Sequence, residues 1–320
     1  MTISSVSRTC ESRVKNFRKK LGLATPLSRA GTEEAADQFR AAIALDPQFT
    51  AAYVSLGMTH YVQAAFTFVP PDSGFPLVRE NARKALELNS RSATAHALLA
   101  RVATLYTMDW LEAERESGDA TALGPQNPFA LYAAGDLATV LGDFKRSERL
   151  LRASLVLDPL NPETHYMLAV VLRAVGRLDE AEAAARRCLS ISPTYVFGHY
   201  ILGNILTMQG REESVAECQL EVPEGGQLTC LAKAYYKLGR AKEADTMLTV
   251  AMQLHGLDHA YWIASVFGYI RQEDRAFEWL DRAYRQKEPV IEYIKSTSDF
   301  NSLRGDPRYK ALLDKMHLPE

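Results

Sequence analysis

The sequence contains few cysteines, has a small net charge and has no long apolar runs. Its 320 residues include four cysteines, none in a CxxC pair or among histidines at zinc-site spacing. So few cysteines in a chain this long favour a reducing compartment. A formal net charge of −2 provides no field that would hold nucleic acid or an anionic membrane. The longest apolar runs, such as 167–172, are too short to span a bilayer, so membrane insertion is not expected.

Motifs of catalysis and of cofactor binding are also missing. The chain has no GxGxxG or GxxxxGK[ST] loop and no nucleophile elbow. We therefore expect no enzyme activity, no catalytic residue and no cofactor.

Residues 1–30 differ in composition from the rest of the chain. They are rich in serine and basic residues, with Glu11 as the only acid, and they contain no apolar signal-peptide core. This composition favours a flexible tail or the remnant of a linker. A patch that binds nucleic acid or membrane and an organellar transit peptide remain open as alternatives.

A period of 34 residues organises the rest of the chain. The glycines Gly142, Gly176 and Gly210 are 34 residues apart, and the prolines of the loops keep the same spacing: Pro125, Pro159 and Pro193. Glycine permits a tight turn after one helix, and proline cannot continue the next. Each period is therefore predicted to be a helix, a glycine turn, a second helix and a proline loop.

Small residues recur within each period at steps of 12 and then 7, as in Ala169, Ala181 and Cys188. The same pattern appears in three other periods: Gly135, Ser147 and Ser154; Ala232, Ala244 and Ala251; and Ala264, Ala276 and Ala283. Small side chains at these places allow two helix axes to approach closely. This period and pattern are the signature of the tetratricopeptide repeat (TPR). The predicted fold is all-α, a right-handed α-solenoid of TPR units with a C-terminal capping helix.

Three regions follow from the pattern. Residues 1–30 are the basic, flexible N-terminal segment, 31–287 form a TPR superhelix of about seven units after a partial first unit, and 288–320 are the C-terminal cap. Gly210 and Gly239 are only 29 residues apart, which predicts a second helix about one turn short that ends at VPEGG. Asp306 as N-cap and Pro307 as first helical residue predict the start of the capping helix.

The segments GRLDEAEAAARRCLSISP and FNSLRGDPRYKALLDKM, among others, resemble the C-terminal TPR region of multidomain bacterial proteins. In those proteins a winged-helix DNA-binding domain or a class III adenylate cyclase domain comes first, often followed by a TolB-like segment. The resemblance covers about 33–319 and implies a sensing or protein-contact module. It offers no catalytic residue, because nothing before residue 33 corresponds to the cyclase or DNA-binding domain.

The candidate binding residues lie on the predicted first helices. Tyr132, Tyr166 and Tyr200 are 34 residues apart, on the side that lines the concave surface of a TPR superhelix. Tyrosine offers a large apolar area and a hydroxyl at low entropic cost, although it also packs commonly between repeats. The full predicted groove set is Tyr132, Tyr166, Arg173, Tyr200, Asn204, Thr207, Lys233, Tyr236 and Tyr261.

A second candidate contact is an insertion of about nine residues, located in 66–76 by the long step between the first two loops. It carries Phe66, Phe68 and Phe75. These side chains either fold back over the first units or form an apolar contact for a partner.

Histidines do not predict a metal site. His96, His165 and His199 occupy equivalent places in their repeats. Equivalent places in neighbouring repeats are separated by roughly 10 Å, whereas a zinc ion needs every ligand at about 2 Å. We interpret these histidines as packing residues and expect no metal.

The function that this pattern favours is a cytoplasmic protein-interaction scaffold that binds a peptide or a helix in its concave groove. The expected partner is a protein or peptide, with no direct binding of nucleic acid. The alternative is a stand-alone sensing or regulatory module that acts in trans with a cyclase, a kinase or a transcription-regulator domain.

Overall fold

The computed structural model describes residues 29–66, 68–221, 224–257, 259–288 and 290–319. The interpretations of the basic segment concern residues outside these ranges, apart from the last two, which are helical. Across the described ranges the chain forms sixteen α-helices and no strand. The all-α prediction is confirmed.

The helix bounds follow the predicted period closely. The first seven helices are α1 (Arg29–Leu45), α2 (Thr50–Ala65), α3 (Pro71–Leu88), α4 (Ala93–Val102), α5 (Trp110–Leu123), α6 (Pro128–Leu141) and α7 (Phe144–Leu157). The next eight are α8 (Pro162–Ala174), α9 (Leu178–Ile191), α10 (Gly198–Gln209), α11 (Glu213–Gln219), α12 (Glu224–Lys237), α13 (Ala241–His255), α14 (Ala260–Tyr269) and α15 (Glu273–Gln286). Two 3₁₀ helices, Ile291–Lys295 and Ser298–Leu303, then lead to α16 (Pro307–Lys315).

These helices form two compact units. The first unit is Met1–Leu137 with Ala153–Leu160, and the second is Ala138–Arg152 with Asn161–Glu320. In the first unit, Tyr61, Phe75, Val78 and Leu98 belong to one buried apolar cluster. In the second unit, sequential helices pack as pairs: α8 with α9, α10 with α11, α12 with α13 and α14 with α15.

Glycine terminates the first helix of four hairpins, as predicted. Gly142, Gly176, Gly210 and Gly239 have φ values of +84°, +78°, +75° and +74°. An L-residue reaches this left-handed region only at a cost of about 1–2 kcal/mol, whereas glycine does so freely. In the last hairpin Arg271, with φ of +57°, adopts the same conformation without that advantage.

The small residues lie where the period placed them, between paired helices. Ala169, Ala181 and Cys188 of α8 and α9 have no exposed surface, and the corresponding alanines of the later repeats are equally buried. Any side chain larger than these would push the two helices apart.

The short repeat differs from its prediction in detail. Helix α11 has seven residues, about half the length of the other second helices and thus about two turns short rather than one. The sequence EGG does not form the turn after it, because Glu224, Gly225 and Gly226 are the first turn of α12. Gly225 fits there because a Cβ would lie 2.6 Å from the His259 ring.

A disulfide joins Cys218 of α11 to Cys230 of α12, and both residues are fully buried. Gly203 of α10 leaves room for this bond, since a Cβ at that position would lie 2.8 Å from either sulfur. The number of cysteines alone led us to expect reduced thiols, and the spatial pairing of these two contradicts that expectation. Cys188 is a free, buried cysteine, and burial raises the pKa of its thiol to about 12.

The insertion after α2 is mostly helical rather than a loop. Helix α3 starts at Pro71, so Phe75 lies within its first turns and not in a surface loop. No helix in the described part of the chain is both long and apolar enough to cross a membrane.

Helix α16 begins as predicted, with Asp306 as N-cap and Pro307 as first residue. The carboxylate of Asp306 accepts a hydrogen bond from the backbone N–H of Arg308 at 2.8 Å. The apolar face of this helix is buried, as Tyr309, Leu312 and Leu313 show. The Arg308 guanidinium lies 4.3 Å from the centre of the Phe277 ring of α15.

Candidate functional site

Two of the predicted groove residues contact the segment between α15 and α16. We call Ile291–Leu303 the C-terminal segment. We call the first-helix residues Tyr166, Arg173, Tyr200, Lys233 and Tyr261 the inner face of the second unit. The C-terminal segment contacts this inner face at Lys233 and Tyr261.

Lys233 holds the segment at its centre. Its Nζ lies 2.9 Å from Oδ2 of Asp299 and donates to the hydroxyl of Tyr200, also at 2.9 Å. The Lys233 side chain is 1% exposed, so this ion pair is buried. Burial opposes the charge on Lys233, but Asp299 and Tyr200 outweigh it, and the pKa of the ammonium is raised.

Tyr261 holds the segment beside Lys233. Its hydroxyl and the hydroxyl of Thr297 are 2.7 Å apart, and Phe300 meets its ring edge-on with centroids 5.5 Å apart. Gly268 of α14 lets the segment approach, because a Cβ there would lie 2.7 Å from the carbonyl oxygen of Asp299.

At its start the segment reaches the turn between α6 and α7. Nζ of Lys295 donates to the carbonyl oxygen of Leu141 at 3.0 Å, and Ser298 contacts the Met208 sulfur at 3.8 Å. The segment therefore extends from the end of α6 past α10 to α12 and α14, across the first helices of the unit.

Three of the predicted groove residues are consequently not open to a partner. Tyr200, Lys233 and Tyr261 are buried and contact the chain's own C-terminal segment or one another. The sequence placed them on one face of the first helices but could not indicate that the chain's own C-terminal segment contacts this face.

Three further groove residues bond within their own helix or hairpin. The Asn204 amide donates to the carbonyl of Tyr200 at 2.7 Å, and the Thr207 hydroxyl donates to that of Gly203 at 2.8 Å. The Tyr236 hydroxyl donates to the Asp245 carboxylate. Asn204 and Thr207 are buried as well, and their donor groups are already bonded within α10, so neither has a donor left for a ligand.

Tyr166 and Arg173 of α8 are different. Tyr166 is half-buried, with its ring 5.5 Å from that of Tyr195, and burial raises the pKa of its hydroxyl well above the usual range. Arg173 is 5% exposed, yet its Nε has no hydrogen-bond partner in the described chain. Among these two residues, Arg173 thus keeps one unpaired donor, its buried Nε, and Tyr166 keeps a partly exposed side chain.

The first unit has a buried polar cluster around Arg101 of α4. Its guanidinium forms an ion pair with Asp136 and donates to the Tyr61 hydroxyl at 2.8 Å. The hydroxyl of Tyr132, another predicted groove residue, accepts from the same guanidinium at 3.4 Å. Tyr132 is 3% exposed, so it also is a packing residue.

The sequence reasoning missed Arg101, Asp136 and Asp299. Asp136 had a usable signal, because it lies two 34-residue periods before Asn204, which was identified. Asp299 had none, since it lies outside the repeats.

Of the three phenylalanines of the insertion, Phe75 is folded back into the first unit. Phe75 is 1% exposed and stacks on Tyr106 with centroids 5.4 Å apart. Phe66 and Phe68 are half-buried, with their ring centroids 6.3 Å apart. Phe75 therefore cannot contact a partner, and the first of the two alternatives holds for it.

His96 belongs to the one cluster of possible metal ligands found among the described residues, with Glu116 and Asp119. Its Nδ1 lies 2.7 Å from Glu116 and its Nε2 lies 3.2 Å from the carbonyl of Ser90. His199 repeats this arrangement with Glu217 and Pro193 at 2.8 and 3.2 Å. Because the histidine–glutamate pair recurs between paired helices, we assign it to packing.

Residues 132–196 match the family model described as tetratricopeptide repeat. That part of the chain is therefore similar to tetratricopeptide repeats. Human IFIT1, solved with m7Gppp-AAAA, aligns with a TM-score of 0.60 at 14% identity, over 81% of this chain and 68% of that one. PilF of Pseudomonas aeruginosa aligns with a TM-score of 0.50 at 18% identity, over 70% of this chain and 94% of that one. At these identities the likeness concerns the TPR α-solenoid fold. No curated protein matches the chain.

Proposed function

We propose that the chain is a protein-binding TPR scaffold without chemistry of its own, and that Tyr166 and Arg173 are its contact residues in the second unit. The observation that carries this proposal is the C-terminal segment. The inner face already binds a short 3₁₀-helical stretch of polypeptide through an ammonium, a tyrosine hydroxyl and an aromatic edge. These are groups with which a partner peptide would also be bound.

The C-terminal segment itself stays in place when a partner binds. Ile291, Ile294, Phe300 and Leu303 are all 0% exposed. Full burial of one such side chain stabilises by about 1.5–3 kcal/mol, so displacing all four would cost roughly 6–12 kcal/mol. A partner is therefore expected to bind beside the segment rather than in place of it.

Arg173 provides a hydrogen-bond donor on the part of the inner face beside the C-terminal segment. Its Nε is buried and has no acceptor among the described residues, which is costly because burial removes water without providing a replacement. A partner that opens the surface around Arg173 would supply the missing acceptor through an acidic or carbonyl-rich stretch, and the partly exposed side chain of Tyr166 would supply apolar contact. The expected ligand is a peptide or helix that carries an acceptor next to an apolar side chain.

Quantitative affinity capture tests the proposal. The intact chain, Tyr166→Ala, Arg173→Gln and the control Arg187→Gln, which changes an exposed arginine of α9, would be used as baits in the same extract. A specific partner should be retained by the control and weakened about tenfold to a hundredfold by either test variant, as expected when an anchor worth about 1–3 kcal/mol is lost. The binary interaction is then measured with purified proteins. Capture of a cyclase, kinase or transcription regulator would identify the scaffold as regulatory.

The outcome is read together with thermal stability. If Tyr166→Ala and Arg173→Gln retain every partner that the control retains, the inner face is not the binding surface. Tyr200→Ala separates packing from recognition, because it should lower the melting temperature by removing an acceptor from buried Lys233.

A further inference from the structure

A pocket of about 580 Å³ lies in the second unit, between the α6–α7 turn and the chain around the start of α16. Leu141, Gly142 and Phe144 line it on one side, and residues from Lys295 to Leu313 on the other. Its volume is within the range of about 300–1,000 Å³ that holds small ligands or a few side chains.

The lining is positively charged. Lys295, Arg304 and Lys310 contribute three cations, and Asp306 contributes the one carboxylate. That carboxylate already caps α16 and forms an ion pair with Arg308 at 2.7 Å. The hydrogen bonds from Arg308 lower the pKa of Asp306, so it stays ionised but committed to Arg308.

Lys295 and Arg304 bond to backbone carbonyls and not to acids. Lys295 donates to Leu141 O at 3.0 Å, and Arg304 donates to Lys295 O at 2.8 Å. Within the described residues, neither forms an ion pair with a carboxylate. Burial and the nearby Arg304 lower the pKa of Lys295, which is the expected response of a cation without a counter-charge.

The rest of the lining is apolar. Phe144, Pro307 and Leu313 face the same space as the cations. A bare inorganic anion would satisfy the charges but leave this apolar surface in water. A ligand that joins a carboxylate to an apolar group would satisfy both.

We propose that this pocket binds an acidic peptide segment of a protein partner, with an aspartate or glutamate on Lys295 and Arg304 and a neighbouring apolar side chain on Phe144 and Leu313. This proposal rests on the proposed scaffold function and adds a second contact site to it, one that prefers an acidic peptide. The pocket is independent of Tyr166 and Arg173, neither of which lines it.

The test uses a capped dipeptide, N-acetyl-Asp-Phe-amide, added to the full chain and followed by amide NMR. Gly142 and Gly305 both line the pocket, so their amide signals report on its occupancy. We expect saturable shifts of both signals with the aspartyl peptide. The asparaginyl analogue should bind about tenfold more weakly, because it lacks the charge that strengthens the hydrogen bonds.

Variants and a simple anion complete the design. Arg304→Gln and Lys295→Gln should each weaken the shifts, whereas Lys242→Gln, which removes an exposed lysine of α13, should leave them unchanged; melting temperatures confirm that all three fold. Equal shifts with inorganic phosphate at the same concentration would show a general anion site and overturn the peptide assignment. If the amide signals of Gly142 and Gly305 do not shift at a high concentration of the peptide, the pocket is not a binding site for it. Neither result would bear on capture through Tyr166 and Arg173.

Discussion

At the scale of single residues, the helix pairs depend on side chains that are small enough. Ala181 of α9 is completely buried, and it stands in the 12-then-7 pattern with Ala169 and Cys188. Ala181→Leu should therefore destabilise the protein by about 1–3 kcal/mol through overpacking. Ala183→Leu is the matched control, since Ala183 is exposed on the same helix. Chemical denaturation of both variants tests this prediction. Equal denaturation midpoints for Ala181→Leu and Ala183→Leu would show that residue 181 does not set the helix spacing.

Glu221 is a second residue whose environment has a measurable consequence. Its carboxylate accepts hydrogen bonds from the backbone N–H groups of Phe197 and Tyr200 at 3.0 and 2.6 Å, which caps α10. Glu288 caps α14 in the same way, through Ala260 and Tyr261. Burial nevertheless raises the pKa of Glu221 from 4.5 to about 7.

This pKa predicts how stability changes with pH. The folded chain holds the Glu221 proton more tightly than the unfolded chain does, so its contribution is complete below pH 4.5 and is lost as pH rises through about 7. At about 1.36 kcal/mol per pKa unit, the loss is about 3 kcal/mol at most. Glu221→Gln should flatten this part of the stability profile. The control Glu212→Gln, at an exposed position, should show the same loss of stability with pH as the unchanged protein. If Glu221→Gln also shows that loss, Glu221 is not its source.

At the scale of elements, the C-terminal segment is attached by a buried ion pair. Removing one partner of such a pair leaves an uncompensated charge and costs about 3–5 kcal/mol, whereas replacing both by apolar residues is often neutral. Lys233→Met should thus be strongly destabilising, and the double variant Lys233→Met/Asp299→Leu should recover most of the loss. Denaturant unfolding of both single variants and the double variant measures the coupling. Additive effects would mean that the pair does not form.

Helix α16 should protect the end of the repeats. It covers α15 through the Arg308–Phe277 contact and through the hydrogen bond from the Tyr284 hydroxyl to Lys315 O at 3.0 Å. Deleting residues 304–320 should expose this face and cause self-association, because an uncapped repeat leaves its stacking surface in water. Light scattering after gel filtration measures this. A truncated chain that stays monomeric with the melting temperature of the intact chain would contradict the capping role.

Element by element, the repeats were predictable and the C-terminal segment was not. Turn glycines, loop prolines and small residues recur because the same local geometry is needed in each hairpin, so a period reveals them. The segment around Asp299 occurs once, and its docking on Lys233 joins residues that are 66 positions apart. The Cys218–Cys230 bond was missed for a similar reason, because it occurs once and joins two different helices, α11 and α12.

The candidate site could be predicted only in part, because a period gives the positions of residues and not their contacts. The 34-residue spacing placed Tyr200 on the inner face, but spacing does not distinguish a side chain that contacts a ligand from one that contacts the protein's own chain. Arg173 was identified by position alone, while the physical reason to select it, an unpartnered buried Nε, required coordinates. No sequence pattern joins Leu141 to Lys295, so the pocket between them could not be anticipated.

At the scale of the whole molecule, the inner face of the second unit is occupied in part by the chain's own C-terminal segment. In the proposed function, a partner binds beside this segment at Tyr166 and Arg173. Filling one part of a binding face with an intramolecular segment restricts partners to those that fit the remainder, which raises specificity.

Hydrogen–deuterium exchange of the intact chain, read by mass spectrometry, tests this occupation of the inner face most directly. If the C-terminal segment is an integral part of the inner face, amides of 291–303 should exchange about as slowly as those of α12 and α14, because they open only with the unit. Asp299→Asn should speed exchange in that segment, whereas Asp274→Asn, at an exposed position, should not. Exchange of 291–303 at the rate of an open loop, with α12 and α14 still protected, would contradict the account.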